Sequence, residues 1–223
     1  MRVVSWNLQH GVPDPKGRPH LARGVAPLRA LVGDVYAFQE LDHRRWRTRF
    51  QHQGEVLAAA LDGELVWWRA KRWLGGAQAN ALVVRGEVDT PEVLLLPGPG
   101  ERRIAILAHV VVNDAPWTVA TTHLALDPAV ADRQLESALD ALAARPRPRV
   151  LIGDLNLRPE RVALVAARTG FTLLEGAPTV NARTGPDRRL DHVLVQGASI
   201  TDSGVTKLPL SDHLAIWADL TPT

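Results

Sequence analysis

The sequence predicts an α+β fold with mixed β-sheets, and two such sheets packed face to face with helices outside would accommodate the order of its elements. Segments rich in β-branched and apolar residues recur along the chain, separated by Gly, Pro or Asp, as is typical of strands. Between residues 64 and 123 several of them follow one another without a helix, which favours mixed or antiparallel sheets over a doubly wound parallel sheet. The 223 residues can bury one substantial core, and we expect a single domain over residues 1–223.

The predicted strands share an apolar, β-branched composition and end at turn residues. They span residues 2–8, 34–40, 64–69, 80–86, 103–112, 117–124, 149–155, 189–195 and 213–220. Helix-like stretches span residues 24–32, 53–61, 127–144 and 160–168. In the third stretch we expect Asp127 to cap the helix and Pro128 to take its first position.

Composition excludes some classes of protein. The chain has no cysteine, so it contains no disulfides or thiolate metal sites, which is compatible with a reducing cytoplasm. Met1 leads directly into a strand-like segment without a signal-peptide pattern, and no apolar run is long enough to span a membrane. We therefore expect a cytoplasmic protein, and nothing in the sequence indicates an obligate protein partner.

The cations are almost all arginine, since lysine occurs only at positions 16, 71 and 207. Arginine suits bidentate contacts with phosphate, although a GC-rich genome would produce the same bias. The formal net charge is only +2, so the basicity is weaker than the pI of about 9.5 suggests.

Polar groups able to bind metal or transfer protons stand at the ends of the predicted strands. Four strands run up to such groups, and two others carry them at or near their starts: Asn7, Glu40, His123, Asp154 with Asn156, Asp191, and Asp212 with His213. Each has a purely structural alternative: Asn7 could end a turn, Asp154 could cap a helix, and His123 could be a core histidine. Their joint occurrence at sheet ends favours one functional site.

Six blocks carry a resemblance to a known family: SWNLQHG, DVYAFQELD, TTHL, IGDLN, LDHVLV and SDHLA, running from Ser5 to Ala215. In this order they resemble the signature blocks of the endonuclease/exonuclease/phosphatase family. The resemblance implies the αββα sandwich, hydrolysis of phosphoester bonds and a divalent metal, usually Mg²⁺, with Mn²⁺ as an alternative.

The resemblance also implies a role for each matching residue. Asn7 and Glu40 match metal-binding positions, with Asp212 close to the same ion. Asp154 and Asn156 match the pair that orients the attacking water and the scissile phosphate. The remaining matches are His123, which contacts phosphate oxygens, and a carboxylate–imidazole pair formed by Asp191 and His213.

Phosphoester chemistry agrees with these assignments. Anionic phosphate oxygens repel a nucleophile, so catalysis needs charge neutralisation and protonation of the leaving oxygen. Oxygen donors suit a hard ion such as Mg²⁺ or Mn²⁺. We expect Asp191 to hydrogen-bond His213, fixing its tautomer and raising its pKa. We also expect Asp154 and His213 to lie at a solvent-open sheet edge.

Two features bear on the substrate. His123 follows two threonines where the abasic-site endonuclease branch is expected to carry tyrosine, so the chain resembles more the deoxyribonuclease, sphingomyelinase and phosphatase branches. Tryptophan and arginine interleave in segments 44–50 and 66–73, a composition suited to base stacking and phosphate contact. The alternative is that Trp67 or Trp68 packs inward while the arginines are merely solvated.

Candidate substrate contacts are Arg44, Arg45, Trp46 and, after a glycine-rich turn, Asn80. We expect the partner to be a phosphoester, with DNA or RNA hydrolysed by a metal-dependent nuclease as the leading hypothesis. Two alternatives remain open: a phosphatase or sphingomyelinase-like esterase acting on a small phosphorylated or lipid substrate, and a non-catalytic binding module.

Overall fold

The computed structural model describes residues 1–11, 20–73 and 75–223, with Trp73 described in its backbone only. The chain forms two six-stranded sheets, here called sheet A and sheet B. In spatial order, sheet A contains β11 (Ala198–Thr206), β12 (Ala215–Pro222), β1 (Arg2–Asn7), β2 (Val35–His43), β4 (Gly76–Val84) and β3 (Glu64–Trp73). Only β1 and β2 run parallel; the other neighbours are antiparallel.

Sheet B repeats this plan with one parallel pair among antiparallel neighbours. Its order is β5 (Glu87–Leu95), β6 (Ile104–Val112), β7 (Ala115–His123), β8 (Arg149–Asp154), β10 (Asp191–Gln196) and β9 (Thr172–Leu173), with β7 and β8 parallel. The predicted mixed sheets are therefore confirmed.

Four helices follow the predicted stretches closely: α1 (Ala22–Arg29), α2 (Gln53–Leu61), α3 (Pro128–Ala143) and α4 (Pro159–Thr169). The Asp127 side chain accepts hydrogen bonds from the backbone amides of Ala129 and Val130, each at 2.9 Å, at the start of α3. This confirms the predicted cap, with Pro128 as the first helical residue. In the described part of the chain no helix is both long enough and apolar enough to cross a membrane.

Three apolar layers separate the four structural layers. A central core, which includes Val3, Leu82, Ile106 and Ile152, fills the space between the sheets. A second cluster packs α3 and α4 onto the outer face of sheet B, and a third packs α1 and α2 onto sheet A. The predicted αββα sandwich is confirmed.

The sequence analysis did not predict three strands, β5, β9 and β11, and all three lie at the edge of a sheet. Strand β5 contains Pro91, accommodated at a bulge between Asp89 and Glu92, and most of its side chains are solvent-exposed. Strand β11 is polar and bulged, and β9 has only two residues. Because an edge strand buries little, its sequence lacks the apolar alternation that predicts interior strands.

We predict that Ile152→Ala lowers the free energy of unfolding by ~2–5 kcal/mol, because Ile152 is 0% exposed in the central core and its loss leaves a cavity. Urea denaturation measures the change. Leu164→Ala on α4 is the control: Leu164 is 66% exposed, so its truncation should change stability by no more than about 0.5 kcal/mol. Equal effects of the two substitutions would contradict the placement of the core.

Candidate active site

Sheet B places three predicted site residues side by side. His123 ends β7 and Asp154 ends β8, and the two pair across the parallel ladder; Asp191, the first residue of β10, pairs with Asp154 from the other side. His123 Nε2 lies 3.4 Å from Asp154 Oδ2. The adjacent Gly153 permits this approach, since a Cβ there would lie 2.3 Å from the carbonyl oxygen of Thr122. The order of the strands thus aligns an imidazole and two carboxylates.

Asn7, at the end of β1, joins this row from sheet A. Its Nδ2 donates to Asp154 Oδ2 at 2.9 Å and lies 3.4 Å from Glu40 Oε1. Its Oδ1 accepts from the backbone amide of Gln9 at 3.1 Å, which fixes the direction of the side-chain amide. One amide therefore links carboxylates that belong to the two different sheets.

Glu40 lies at an irregularity of β2, where the register with β4 shifts between Phe38 and Leu41. Its backbone is left-handed, with φ of 57°. Gln78 Nε2 donates to Glu40 Oε2 at 3.1 Å, and His10 Nε2 lies 3.3 Å from the same oxygen. The bulge redirects the carboxylate of Glu40 toward Asn7.

Sequence analysis missed His10 and Gln78 as members of this group. His10 lies within the quoted SWNLQHG block but outside its strand, with a left-handed φ of 61° that no apolar pattern predicts. Burial lowers its pKa, against the attraction of Glu40. Gln78 lies two residues before Asn80 on β4, so strand periodicity alone could have placed it on the face of Asn80.

His213 lies in the turn before β12, not in the strand itself, which begins at Ala215. The Ser211 hydroxyl fastens this turn to β1 by donating to the carbonyl oxygen of Asn7 at 2.6 Å and accepting from the His213 amide at 3.0 Å. His213 Nδ1 lies 2.9 Å from Asp191 Oδ2, which also accepts from the Thr179 hydroxyl at 2.6 Å. The expected carboxylate–imidazole hydrogen bond is therefore present.

The two histidines beside Asp154 differ in protonation state. Burial alone would lower the pKa of His213, but attraction to Asp191 and Asp154 and the hydrogen bond with Asp191 outweigh it and raise that pKa to about 10. Burial lowers the pKa of His123 to about 4, with the Asp154 carboxylate opposing the change. At neutral pH the protein alone presents an imidazolium at His213 and a neutral imidazole at His123.

Asn156 follows Asp154 in a left-handed conformation, with φ of 51°. Its backbone amide donates to Asp154 Oδ1 at 3.1 Å, and its Nδ2 donates to the carbonyl oxygen of Leu124 at 2.9 Å. Asp154 is thus not a helix cap, since α4 begins at Pro159 with Arg158 at its cap position. The turn fixes both side chains next to His123.

The expectation of a solvent-open edge for Asp154 and His213 is wrong. Asp154 is 1% and His213 8% exposed. Asp154 lies beneath Asn7 and His123, and the turn held by Ser211 carries His213 over the sheet ends. These groups line the bottom of the site, so substitutions there affect stability as well as chemistry.

The remaining predicted residues are Asp212, Asn80, Trp46, Arg44 and Arg45. Asp212 is only partly buried. In the described part of the chain its carboxylate influences His213 by its charge and not by a hydrogen bond. Asn80 is 1% exposed, and its Nδ2 has no hydrogen-bond partner in the described structure. Trp46 is 76% exposed, and Arg44 is also exposed; in the described part of the chain neither side chain bonds to the site. Arg45 packs near Gly76.

Arg47 is the member of segment 44–50 whose contacts lead toward the site. Its guanidinium donates to both oxygens of the buried Asp42, at 2.6 and 2.7 Å, and Asp42 Oδ1 lies 3.5 Å from His10 Nδ1. Through Arg47 and Asp42 the segment therefore supports His10, which contacts Glu40, whereas its aromatic residues Trp46 and Phe50 are exposed.

The donor set fits a hard divalent cation. Glu40 and Asp154 approach a single amide from opposite sheets, and Asp191 Oδ1 is buried without a hydrogen-bond partner in the described structure. Ligand atoms of Asp154, Asp191 and His213 lie within 4.8 Å of one another. Among these groups the carboxylate and amide oxygens are the ligands that a hard cation prefers.

Comparison with known proteins supports the same family. The family model described as Endonuclease/Exonuclease/phosphatase family matches residues 4–213. A solved endonuclease/exonuclease/phosphatase from Beutenbergia cavernae DSM 12333 is 24% identical, with a TM-score of 0.83, covering 100% of this chain and 71% of that one. No curated protein sequence matches the chain.

Two further structures share the fold at lower identity. D. rerio TDP2 complexed with a single-strand DNA product is 18% identical, with a TM-score of 0.75 and coverage of 99% of this chain and 98% of that one. The mannosyl-6-phosphatase of Bacteroides thetaiotaomicron VPI-5482 is 15% identical, with a TM-score of 0.74 and coverage of 99% of each chain. Because the family model spans nearly all of its length, the chain belongs to the endonuclease/exonuclease/phosphatase family, whose members are phosphoester hydrolases that include nucleases and phosphatases.

Proposed function

We propose that this chain is a Mg²⁺- or Mn²⁺-dependent phosphodiesterase that acts on nucleic acid. The observation that carries the proposal is the junction of the sheets, where Asn7 joins Asp154 to Glu40 beside the Asp191–His213 pair. This junction combines oxygen donors for a hard cation with proton-bearing groups at the end of one sandwich, as phosphoester hydrolysis requires.

Glu40 and Asn7 would hold the cation, with Asp212 near it. When bound, the ion would neutralise charge on the phosphoryl group. Gln78 and His10 fix the Glu40 carboxylate from the other side, so the geometry of this ligand does not depend on the substrate.

Asp154 and Asn156 would orient the attacking water. Asp154 is already fixed by Asn7 and by the Asn156 backbone, and the Asn156 side chain is held by the carbonyl oxygen of Leu124. A carboxylate immobilised in this way accepts a hydrogen bond from water in one defined direction.

The two histidines would contact the phosphate from either side of Asp154. His213 is held through Nδ1, so its Nε2, 3.8 Å from Asp154 Oδ2, is the nitrogen available to a phosphate oxygen. His123 Nε2 lies 3.4 Å from the same carboxylate oxygen. An imidazole N–H directed at a phosphate oxygen stabilises the charge that develops during phosphoryl transfer.

The choice of nucleic acid is supported by the arginine-rich composition and by exposed tryptophan and arginine on the edge of sheet A. D. rerio TDP2, which shares the fold, was solved with a single-strand DNA product. Because a mannosyl-6-phosphatase has a similar fold, a sugar phosphate is the alternative substrate to test beside nucleic acid.

We predict that the pure protein nicks supercoiled plasmid in Mg²⁺ and that EDTA abolishes the nicking. His213→Ala and Asp154→Ala should each reduce the rate by about 10²–10⁴-fold, the range for loss of a positioned proton-transfer or charge-stabilising group. Gel quantification of the nicked form measures the rate.

The control is Arg168→Ala, which removes an exposed charge on α4 and should leave nicking unchanged. Because Asp154 and His213 are buried, a melting curve of each variant must show a folded protein at the assay temperature. Intact plasmid in every lane, with hydrolysis of a sugar monophosphate instead, would contradict the nucleic-acid assignment while leaving phosphoester hydrolysis in place.

We predict that Glu40→Gln raises the Mg²⁺ concentration for half-maximal activity by at least about 10-fold, because a ligand carboxylate is replaced by a neutral amide. Saturating Mg²⁺ should restore much of the rate. A titration of activity against Mg²⁺ measures both values, and isothermal calorimetry measures the affinity directly.

Gln78→Ala is the matched variant, since it removes only the hydrogen bond that holds Glu40 and should raise the Mg²⁺ requirement less. Unchanged metal affinity in Glu40→Gln would show that Glu40 is not a ligand.

A further inference from the structure

An open groove of about 370 Å³ runs along the outer strand of sheet A. Its lining is aromatic and cationic: Trp67, Trp68, Arg69, Arg72 and Arg102. Four of the five belong to β3, which has a neighbour on one side only. The proposed catalytic mechanism gives these residues no role. Their segment nevertheless combines aromatic and cationic side chains, the two types that bind single-stranded nucleic acid.

The two tryptophans of the groove have different environments. Trp67 packs inward against the rings of His43 and His52, with centroid distances of 4.8 and 4.4 Å. Trp68 is 49% exposed. Adjacent residues of a strand point to opposite faces, so the two indoles lie on opposite sides of the edge strand β3 and the groove contacts both. About half of the Trp68 side chain is therefore exposed to solvent and available for contact with a ligand.

The cations of the groove exceed its carboxylates. Arg69 lies over the Trp67 ring, 5.6 Å from its centroid. Arg72 and Arg102 are exposed and form no ion pair with any described residue. Lys71 differs, because its Nζ lies 2.5 Å from Glu101 Oε2. Three arginines without a carboxylate partner make the groove a local site for anions.

The groove borders the catalytic group on the side of sheet A. Trp68 pairs with Asn80 across β3 and β4, and Lys71 pairs with Gln78, which donates to Glu40. Directly paired residues project from the same face of a sheet, so Trp68 stands on the face of Asn80. Asn80 Nδ2 is buried and without a partner in the described structure.

A second connection runs through sheet B. Glu101 Oε1 lies 3.6 Å from Arg103 Nη2, and Arg103 Nη1 lies 3.4 Å from the carbonyl oxygen of His123. Glu101, the neighbour of the groove residue Arg102 in the chain, is thus separated from His123 by one arginine.

From these contacts we propose that the groove is a subsite for a single-stranded stretch of nucleic acid next to the cleaved phosphodiester. One base stacks on Trp68, phosphates contact Arg72 and Arg102, and Asn80 Nδ2 donates to the strand where it enters the site. The proposal rests on the proposed function and specifies its substrate as a strand with unpaired bases. Bases inside a duplex have no free face to offer Trp68.

The test is binding of a fluorescein-labelled oligothymidylate, measured by anisotropy in EDTA so that no strand is cleaved. Trp68→Ala should weaken binding by about 10-fold, and Trp68→Phe should restore most of it, because stacking needs only an aromatic face. Arg102→Ala should weaken binding and reduce the slope of log affinity against log salt by about 0.7. Arg168→Ala, which removes an exposed arginine on α4, should change neither.

The same variants are then assayed on bis(p-nitrophenyl) phosphate, a diester too small to reach the groove. Trp68→Ala should hydrolyse it at the wild-type rate in Mg²⁺ while losing activity on the oligonucleotide. If the wild type hydrolyses neither the small diester nor plasmid DNA, the proposed function fails, whereas the binding result still tests the groove.

Three results would overturn the subsite. Trp68→Ala could bind the oligonucleotide as tightly as the wild type. Polyphosphate could compete as well as the oligonucleotide for wild type and Trp68→Ala alike, which would show an anion patch without stacking. Binding to vesicles of anionic lipid, lost in Trp68→Ala and unaccompanied by oligonucleotide binding, would assign the groove to a membrane surface.

Discussion

The contact on which the site depends is the hydrogen bond from Asn7 Nδ2 to Asp154 Oδ2, which joins the two sheets at one end of the sandwich. The central core between the sheets is apolar, and apolar packing alone specifies no precise alignment of two strand ends. A buried amide–carboxylate bond has a narrow range of favourable geometries, because an unmade partner inside the protein is costly. Gln39, which donates to Thr121 at 3.1 Å, is a second polar link between the sheets.

The same end of β1 also positions the last element of the site. Ser211 donates to the carbonyl oxygen of Asn7, and the Trp6 indole donates to the carbonyl oxygen of His213 at 3.2 Å. Residues more than 200 positions apart thereby share one anchoring strand. The His213 ring then reaches Asp191 in the opposite sheet, so the N-terminal strand determines where the C-terminal turn crosses the sandwich.

Sequence patterns predicted the layers and most elements, because interior strands and packed helices carry a periodicity imposed by burial. The residues predicted at strand ends also lie in one group, with Asn7 at the end of β1, His123 and Asp154 at the ends of β7 and β8, Asp191 at the start of β10, and Glu40 at a bulge within β2. They did not predict the bulge that turns Glu40, the left-handed His10, or the depth at which Asp154 and His213 lie. Those properties arise from contacts between distant segments, which local periodicity does not contain.

Each free edge of the two sheets is interrupted. Strand β3 has a bulge between Arg69 and Lys71, and β11 has one between Ile200 and Asp202. Strand β5 places Pro91 at its bulge, and β9 is only two residues long. A strand of another molecule needs an uninterrupted row of amides and carbonyls to extend a sheet, and none of these edges offers a long one. In the described part of the chain the two sheets therefore present no long regular template for edge-to-edge pairing with another molecule.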